Sequence, residues 1–400
     1  MAMISKLAVD SFRGIKNLKI DNLNHVNLFV GDNNCGKTSV MEALQLFRTS
    51  ELLGNIYSIA RQRESIFWMN SNSLYENFMC MFPHDTEGME INVSGICNGQ
   101  DVKYNIQGKE KKILIDAKEL DRFLLRENME WLVADAKTEE FEGKISYEYG
   151  ILKKDEKMKI NRLTGISGTP ASESEEFKII YVAPFEHLKG SVINQIIKID
   201  GYKEICLKAL QLFDADIEDM MIFKSDISNR PVEYLKHKRL GNMPLSTYGD
   251  GIKKVLVLSN AIAKAAGGIL LIDEIETAIH KKYYDDIFRF IVKACKTFDV
   301  QVFITTHSLE AIDGLLATQD YEKQIAEDSI SVVTLKREWN NTYSRVLSGR
   351  EVAQNREAFG FEVRLLISLF CVKVKQMLYC SVIIWKKLQD GVFQRKALMV

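Results

Sequence analysis

Apolar residues recur along this chain in three spacings, and each spacing predicts a different element. Short continuous runs are the mark of strands buried on both faces: VNLFV at Val26–Val30, KIIYVA at Lys178–Ala183, ILLI ahead of Asp273, and VQVFITTH ending at His307. Apolar positions three and four residues apart predict helices through Val40, Leu44 and Phe47, over Tyr202–Phe213, Gly251–Ala266 and Tyr283–Phe298, and onward from Leu309. Alternation predicts hairpins over Lys6–Ile20, turning at Arg13-Gly14, and over Met89–Gln107, turning at Cys97-Asn98-Gly99, with two more strands in Asp219–Leu235. Ile113–Ala136 has helix-like spacing, and the polar stretch Lys153–Glu176, with its Ser, Thr, Gly and Pro, reads as a surface loop.

Buried strands alternating with helices imply an α/β fold whose mostly parallel sheet is covered on both faces, with an antiparallel β lobe beside it. No internal repeat or long heptad pattern interrupts it. At 400 residues, 46% hydrophobic and 27% charged, the chain has the balance of a soluble globular protein, which suggests neither disorder nor a fibrous repeat. A net charge of -1 confines any nucleic-acid surface to a local patch; Lys109, Lys111-Lys112 and Lys236–Arg239 read either as such patches or as a solvated face. Seven scattered cysteines without a CxxC pair predict reduced thiols and a cytoplasmic protein. No membrane span is expected, because Lys373, Lys375 and Gln376 interrupt the apolar stretch Ile367–Trp385.

The chemistry begins directly after the first buried run. Gly31, Asp32, Asn33, Asn34, Cys35, Gly36, Lys37 and Thr38, followed by Ser39, fit GxxxxGK[ST] between a strand and a helix, the context of a phosphate-binding P-loop. The glycines let successive backbone N–H groups face phosphates, Lys37 is the candidate for the β- and γ-phosphates of ATP, and Thr38 for Mg²⁺. Asp273 and Glu274 end the ILLI strand, Asp273 as the second metal candidate and Glu274 as the group that polarises an attacking water. Ser246, Thr247, Gly249 and Gly251 open a helix, either as a second anion site or as ordinary capping. His307 sits at the carboxyl end of a strand, where α/β ligands bind.

Taken in order, FRGIKNL, GDNNCGKTS, PLSTYGDGIKKVL, ILLIDEIETAIH and FITTHS resemble the ATPase module of the overcoming-lysogenization-defect (OLD) nucleases. Their relatives include RecF and SMC-type heads and the AriA ATPase of the PARIS anti-phage system. The resemblance runs from about Met3 to Arg364, tight at the motifs and loose between Leu52 and Phe177. It implies an ABC-type ATPase domain over 1–364 with a helical and β insertion near 52–177. ATP would be sandwiched between two copies, with Thr247 and Gly249 reaching the γ-phosphate in trans and His307 sensing it. Arg13 is a further candidate near the nucleotide, with an exposed turn as its other reading. The glutamine of the usual Q-loop has no clear counterpart, although Gln195 is available.

The resemblance implies two biological settings. One is a defence ATPase, working as a homodimer or higher homo-oligomer and controlling an effector with a TOPRIM-like nuclease fold. The other is a RecF- or SMC-like ATPase that clamps DNA. Residues 365–400 carry no E-G-x-x-D metal motif in this frame, but codons shifted by two bases over Phe370–Cys380 can encode one. The segment therefore reads as an out-of-frame TOPRIM-like stretch or as a genuine C-terminal extension.

Overall fold

The computed structural model describes residues 3–48, 52–63, 73–83, 88–114, 137–162, 165–168, 178–189, 193–224, 231–321, 328–338 and 341–366. It opens on the expected hairpin, β1 (Ile4–Phe12) and β2 (Ile15–Ile20), turning at Arg13 with a φ of 52°. Then come β3 (Val26–Gly31), α1 (Lys37–Gln45), α2 (Leu52–Arg61) and α3 (Leu74–Met79). An antiparallel run follows: β4 (Met89–Cys97), β5 (Gln100–Leu114), β6 (Lys137–Tyr149), β7 (Leu152–Asn161) and β8 (Gly165–Gly168). Next stand β9 (Ile179–Val182), α4 (Asn194–Lys198), α5 (Tyr202–Leu210), β10 (Ile217–Lys224), β11 (Pro231–His237) and β12 (Gly241–Pro244). The last part holds α6 (Asp250–Lys264), β13 (Ile269–Ile272), α7 (Tyr284–Thr297), β14 (Gln301–Thr305), α8 (Leu309–Leu316), β15 (Ile330–Glu338), β16 (Asn341–Ser348) and α9 (Gly349–Phe359).

The central sheet has the order β16-β15-β3-β14-β13-β9 and is parallel throughout except for the β15–β16 hairpin. Its strands are apolar on both faces because two cores meet across it. Val26, Leu28, Leu270, Ile272, Val302 and Ile304 face a core shared with α6, α7 and α8, while Phe29, Ile269, Leu271 and Phe303 face α1 and the antiparallel lobe. Phe29 and Phe303 stack with centroids 6.1 Å apart on that second side.

The lobe is one seven-stranded sheet, β2-β1-β4-β5-β6-β7-β8, so the strands of the region read as an insertion are continuous with the opening hairpin. Fully buried Gln301 joins the two sheets: its Oε1 accepts from Ile4 N at 2.7 Å and its Nε2 donates to Ile4 O at 2.8 Å. A buried amide with both ends satisfied stabilises a fixed docking geometry; removing it would orphan two backbone groups.

The surface loop expected over Lys153–Glu176 is a correction. Its first part is β7, with Glu156, Met158 and Ile160 turned inward and Lys153, Asp155, Lys157 and Lys159 outward. Charge filled the outward half because neighbouring strands supply partners: Lys153 pairs with Glu148, Asp155 with Lys144, and Lys159 with Glu142. Cross-strand ion pairs of this kind stabilise a sheet where single-strand composition reads as loop. Of the helix expected at Ile113–Ala136, Ile113 and Leu114 belong to β5, and 115–136 lie outside the described residues, as does the segment from 367 to 400. No described helix is long and apolar enough to cross a membrane. Cys35, Cys80, Cys97, Cys206 and Cys295 are free thiols.

Candidate functional site

The carboxyl ends of β3, β13 and β14 converge, and the loops leaving them carry most of the expected chemistry. At the end of β3 the backbone must turn sharply, and two glycines make this feasible. Gly31 has a φ of 144°, and a Cβ there would lie 2.4 Å from Leu335 O; Gly36 has a φ of 104° and forms the N-cap of α1. No side chain caps α1, so its first-turn N–H groups are available to an anion. Asn33 and Asn34 are exposed on the loop and Thr38 is half-buried.

Lys37 is buried, its Nζ donating to Gly31 O at 2.9 Å and Asp32 O at 2.8 Å. Burial lowers its ammonium pKa, opposed by the nearby Cys35, Asp273 and Asp32. Cys35 packs inside the loop with its Sγ 3.6 Å from Lys37 Nζ, and burial pushes its thiol pKa up.

The acids are held by side chains that the sequence left unremarked. Asp273 is 3% exposed; its carboxylate accepts from the hydroxyl of Thr305 on β14 and, at 3.1 Å, from Tyr181 on β9. Burial and the adjacent Asp273 raise the Tyr181 pKa, keeping it a donor. Thr305 Oγ1 also accepts from Glu274 N at 2.8 Å, so one hydroxyl orients both acids. Glu274 has a φ of 48°, an uncommon conformation for a residue with a Cβ that costs roughly 1–3 kcal/mol and tends to cluster at functional sites. Its carboxylate is 40% exposed and lies 3.8 Å from His307 Nε2. His307 N donates to Glu276 Oε1 at 2.7 Å.

Known proteins resemble this chain in sequence and in fold. A family model described as "AAA ATPase domain" matches residues 3–199, and one described as "AAA domain, putative AbiEii toxin, Type IV TA system" matches residues 153–313. An "ATP/GTP phosphatase" of Helicobacter pylori is 23% identical over 355 residues, covering 80% of this chain and 90% of that protein. An uncharacterised protein of Methanocaldococcus jannaschii is 33% identical over 116 residues, 29% of this chain and 98% of that protein. Together the two family models span residues 3–313 as an AAA-type ATPase domain. Among solved structures, an Smc head domain from Pyrococcus furiosus bound to the C-terminal domain of ScpA aligns at a TM-score of 0.46 and 12% identity, covering 90% of this chain and all of that one. The recombination mediator RecF with ATPγS aligns at 0.41 and 12%, covering 87% and 98%.

Arg13 is not an exposed turn residue. Its side chain is 9% exposed and pairs with Glu42 of α1, Nε to Oε2 at 2.6 Å. Glu42 is fully buried and also accepts from Arg63 Nε and Nη2, both at 2.7 Å, and Arg63 Nη2 reaches Ser39 Oγ at 2.9 Å. Two arginines with matched geometry are what a buried carboxylate requires. Arg13 and Arg63 thus anchor the P-loop helix, and Arg63 also stands in the field of Tyr181 and Asp273. Arg63 had no motif around it, so only its fold contacts reveal it.

Ser246, Thr247 and Gly249 are exposed and Gly251 is half-buried, at the start of α6. The capping reading is overturned: Gly249 is the N-cap, no side chain caps the helix, and Thr247 Oγ1 donates instead to Pro244 O at 2.7 Å. Gln195 lies at α4, where its N donates to Asn260 Oδ1 at 2.9 Å; the strand-end loop after β9 carries Glu186 and His187 instead.

Four residues into α6, Lys254 is fully buried and donates to Pro184 O at 2.9 Å. Burial lowers its pKa from 10.5 to about 8 against the pull of Asp273, Glu276 and Glu274. The folded pKa lies below the unfolded one, so the charged form is disfavoured by folding, and stability rises as pH climbs from about 8 towards 10.5. That shift corresponds to about 3 kcal/mol set against folding at neutral pH. Lys254→Met should therefore stabilise the protein by about 2 kcal/mol at pH 7 once the lost hydrogen bond is deducted, and by less at pH 9.5. Thermal denaturation at both values checks this; a lower Tm for the variant at pH 7 would contradict it.

Asp214, Asp216 and His237 form a group of metal-ligand spacing at the far end of β11. His237 Nδ1 accepts from Arg239 N and Leu240 N, both at 3.1 Å, which leaves the ring proton on Nε2, facing Asp214 Oδ2 at 3.3 Å. A metal would need that nitrogen bare while Nδ1 still lacked a proton, so the donor set does not suit one.

Proposed function

We propose that this chain binds Mg–ATP on the Gly31–Ser39 loop and hydrolyses it between two copies of itself. The observation carrying this reading is the Thr305 hydroxyl, which orients Asp273 and Glu274 together while leaving the Glu274 carboxylate partly exposed beside His307. Lys37 and the α1 amides would hold the β- and γ-phosphates, and Glu274 would orient the attacking water. The oxygen donors Thr38 and Asp273 suit Mg²⁺, which would supply charge neutralisation at the phosphate oxygens. The exposed, uncapped start of α6 at Ser246, Thr247, Gly249 and Gly251 would meet the nucleotide of the second copy, with His307 sensing its γ-phosphate.

The "ATP/GTP phosphatase" relative supports hydrolysis as the reaction. The toxin–antitoxin wording of one matched family, together with the OLD-like motifs, supports a regulatory ATPase that governs an effector in anti-phage defence. A DNA clamp has less behind it: Lys111 pairs with Glu140 and Glu142, Lys236 with Glu218, and Arg239 with Asp216, so those basic positions are neutralised.

The two-copy reading is checked with the Glu274→Gln protein, which should retain ATP. Light scattering coupled to size exclusion should show its mass doubling with Mg–ATP and reverting with Mg–ADP. A mass that stays that of one chain while ATP is demonstrably bound contradicts the shared site.

A further inference from the structure

After α9 the chain turns at Gly360, whose φ is 59°, and residues Phe361–Leu366 form a strap bonded to β15, β16 and the residue His307 beyond β14. Phe361 and Val363 are buried in the core beneath it. Thr334 Oγ1 donates to Val363 O at 2.7 Å, Arg345 Nη2 to Leu365 O at 3.1 Å, and Arg356 Nη1 to Phe361 O at 2.9 Å. These contacts hold the strap's backbone against β15, β16 and α9, and leave one side chain directed elsewhere.

That side chain is Arg364. Its Nη1 donates to His307 O at 2.9 Å, while Nε and Nη2 engage Glu362 at 2.8 and 2.7 Å, which fixes the plane of the guanidinium. Asp32 of the P-loop and Glu310 of α8 lie within its field. The main chain of His307 is therefore gripped at both ends, its N–H by Glu276 on the loop after Glu274 and its carbonyl by Arg364. Its imidazole, by contrast, stands 3.8 Å from Glu274 and about a third exposed.

We infer that Arg364 is a positioning residue for His307, and that the strap makes the exit of the ATPase domain part of the γ-phosphate sensor. The inference rests on the proposed role of His307. Any pull on the strap would shift the His307 carbonyl, and displacements of about 1 Å near reacting groups can cost about 10²-fold in rate. Coupling of this kind would run both ways: nucleotide state at His307 would bear on whatever the strap leads into.

The test compares steady-state ATP hydrolysis and binding of a non-hydrolysable ATP analogue in the full chain, wild type and variants. Arg364→Ala should lower kcat by roughly 10- to 100-fold with analogue binding and Tm close to wild type. Arg364→Lys, which keeps a cationic donor, should recover most of kcat. Arg356→Gln, which removes one bond at Phe361 while Thr334 and Arg345 still hold Val363 and Leu365 on either side of Arg364, should leave kcat within about twofold. An unchanged kcat in Arg364→Ala, or an equal fall in Arg356→Gln, overturns the inference while wild-type turnover and its loss in Glu274→Gln leave the hydrolytic reading standing. Absence of turnover in the wild type overturns both.

Discussion

Glu274→Gln should slow ATP turnover by about 10²- to 10³-fold while leaving nucleotide affinity within a few-fold of wild type. The amide keeps the size and the left-handed backbone of Glu274, and the Thr305 bond to its N–H is untouched, so the loop geometry survives. What disappears is a negative acceptor able to orient water and draw off its proton. Because the carboxylate is partly exposed and outside the P-loop, ground-state binding has little reason to change. Single-turnover hydrolysis alongside equilibrium binding of labelled ATP separates the two quantities.

Lys37→Ala should act on the other quantity, weakening Mg–ATP binding by about 10²-fold or more and abolishing the rise in Tm that the nucleotide confers. Lys37 is the buried cation of the loop, already desolvated and held by Gly31 O and Asp32 O, so little further ordering is needed for it to meet a phosphate. Its removal takes away an ammonium that burial disfavours but also the bonds to Gly31 O and Asp32 O, so the nucleotide-induced rise in Tm, not the Tm of the nucleotide-free protein, is the readout. Differential scanning fluorimetry with and without Mg–ATP measures that rise. Equal loss of binding in the Lys37 and Glu274 variants would contradict the separate roles assigned to them.

The strands of the central sheet were legible because burial on both faces demands unbroken apolar runs, and β3, β13, β14 and β9 each carry one. The P-loop and the paired acids were legible for a related reason: their chemistry is confined to a few adjacent residues at a strand end. β7 was not, since its outward half is charged and only the facing strands explain the charge. Arg13 was ambiguous as a turn residue until α1 placed Glu42 against it.

By itself the amino-acid order picked out the candidates for phosphate and metal, because a glycine-bounded lysine after a buried strand and paired acids after another fall in the order that such chemistry needs. Only the tertiary structure decided what holds them. Thr305 and Tyr181 come to Asp273 through strand register, Arg63 comes to Ser39 through the path of α2, and Arg364 comes to His307 over a sequence separation of 57. Such partners lie far apart in the chain and share no periodicity, so their hydrogen bonds exist only once the sheet has brought its strand ends together.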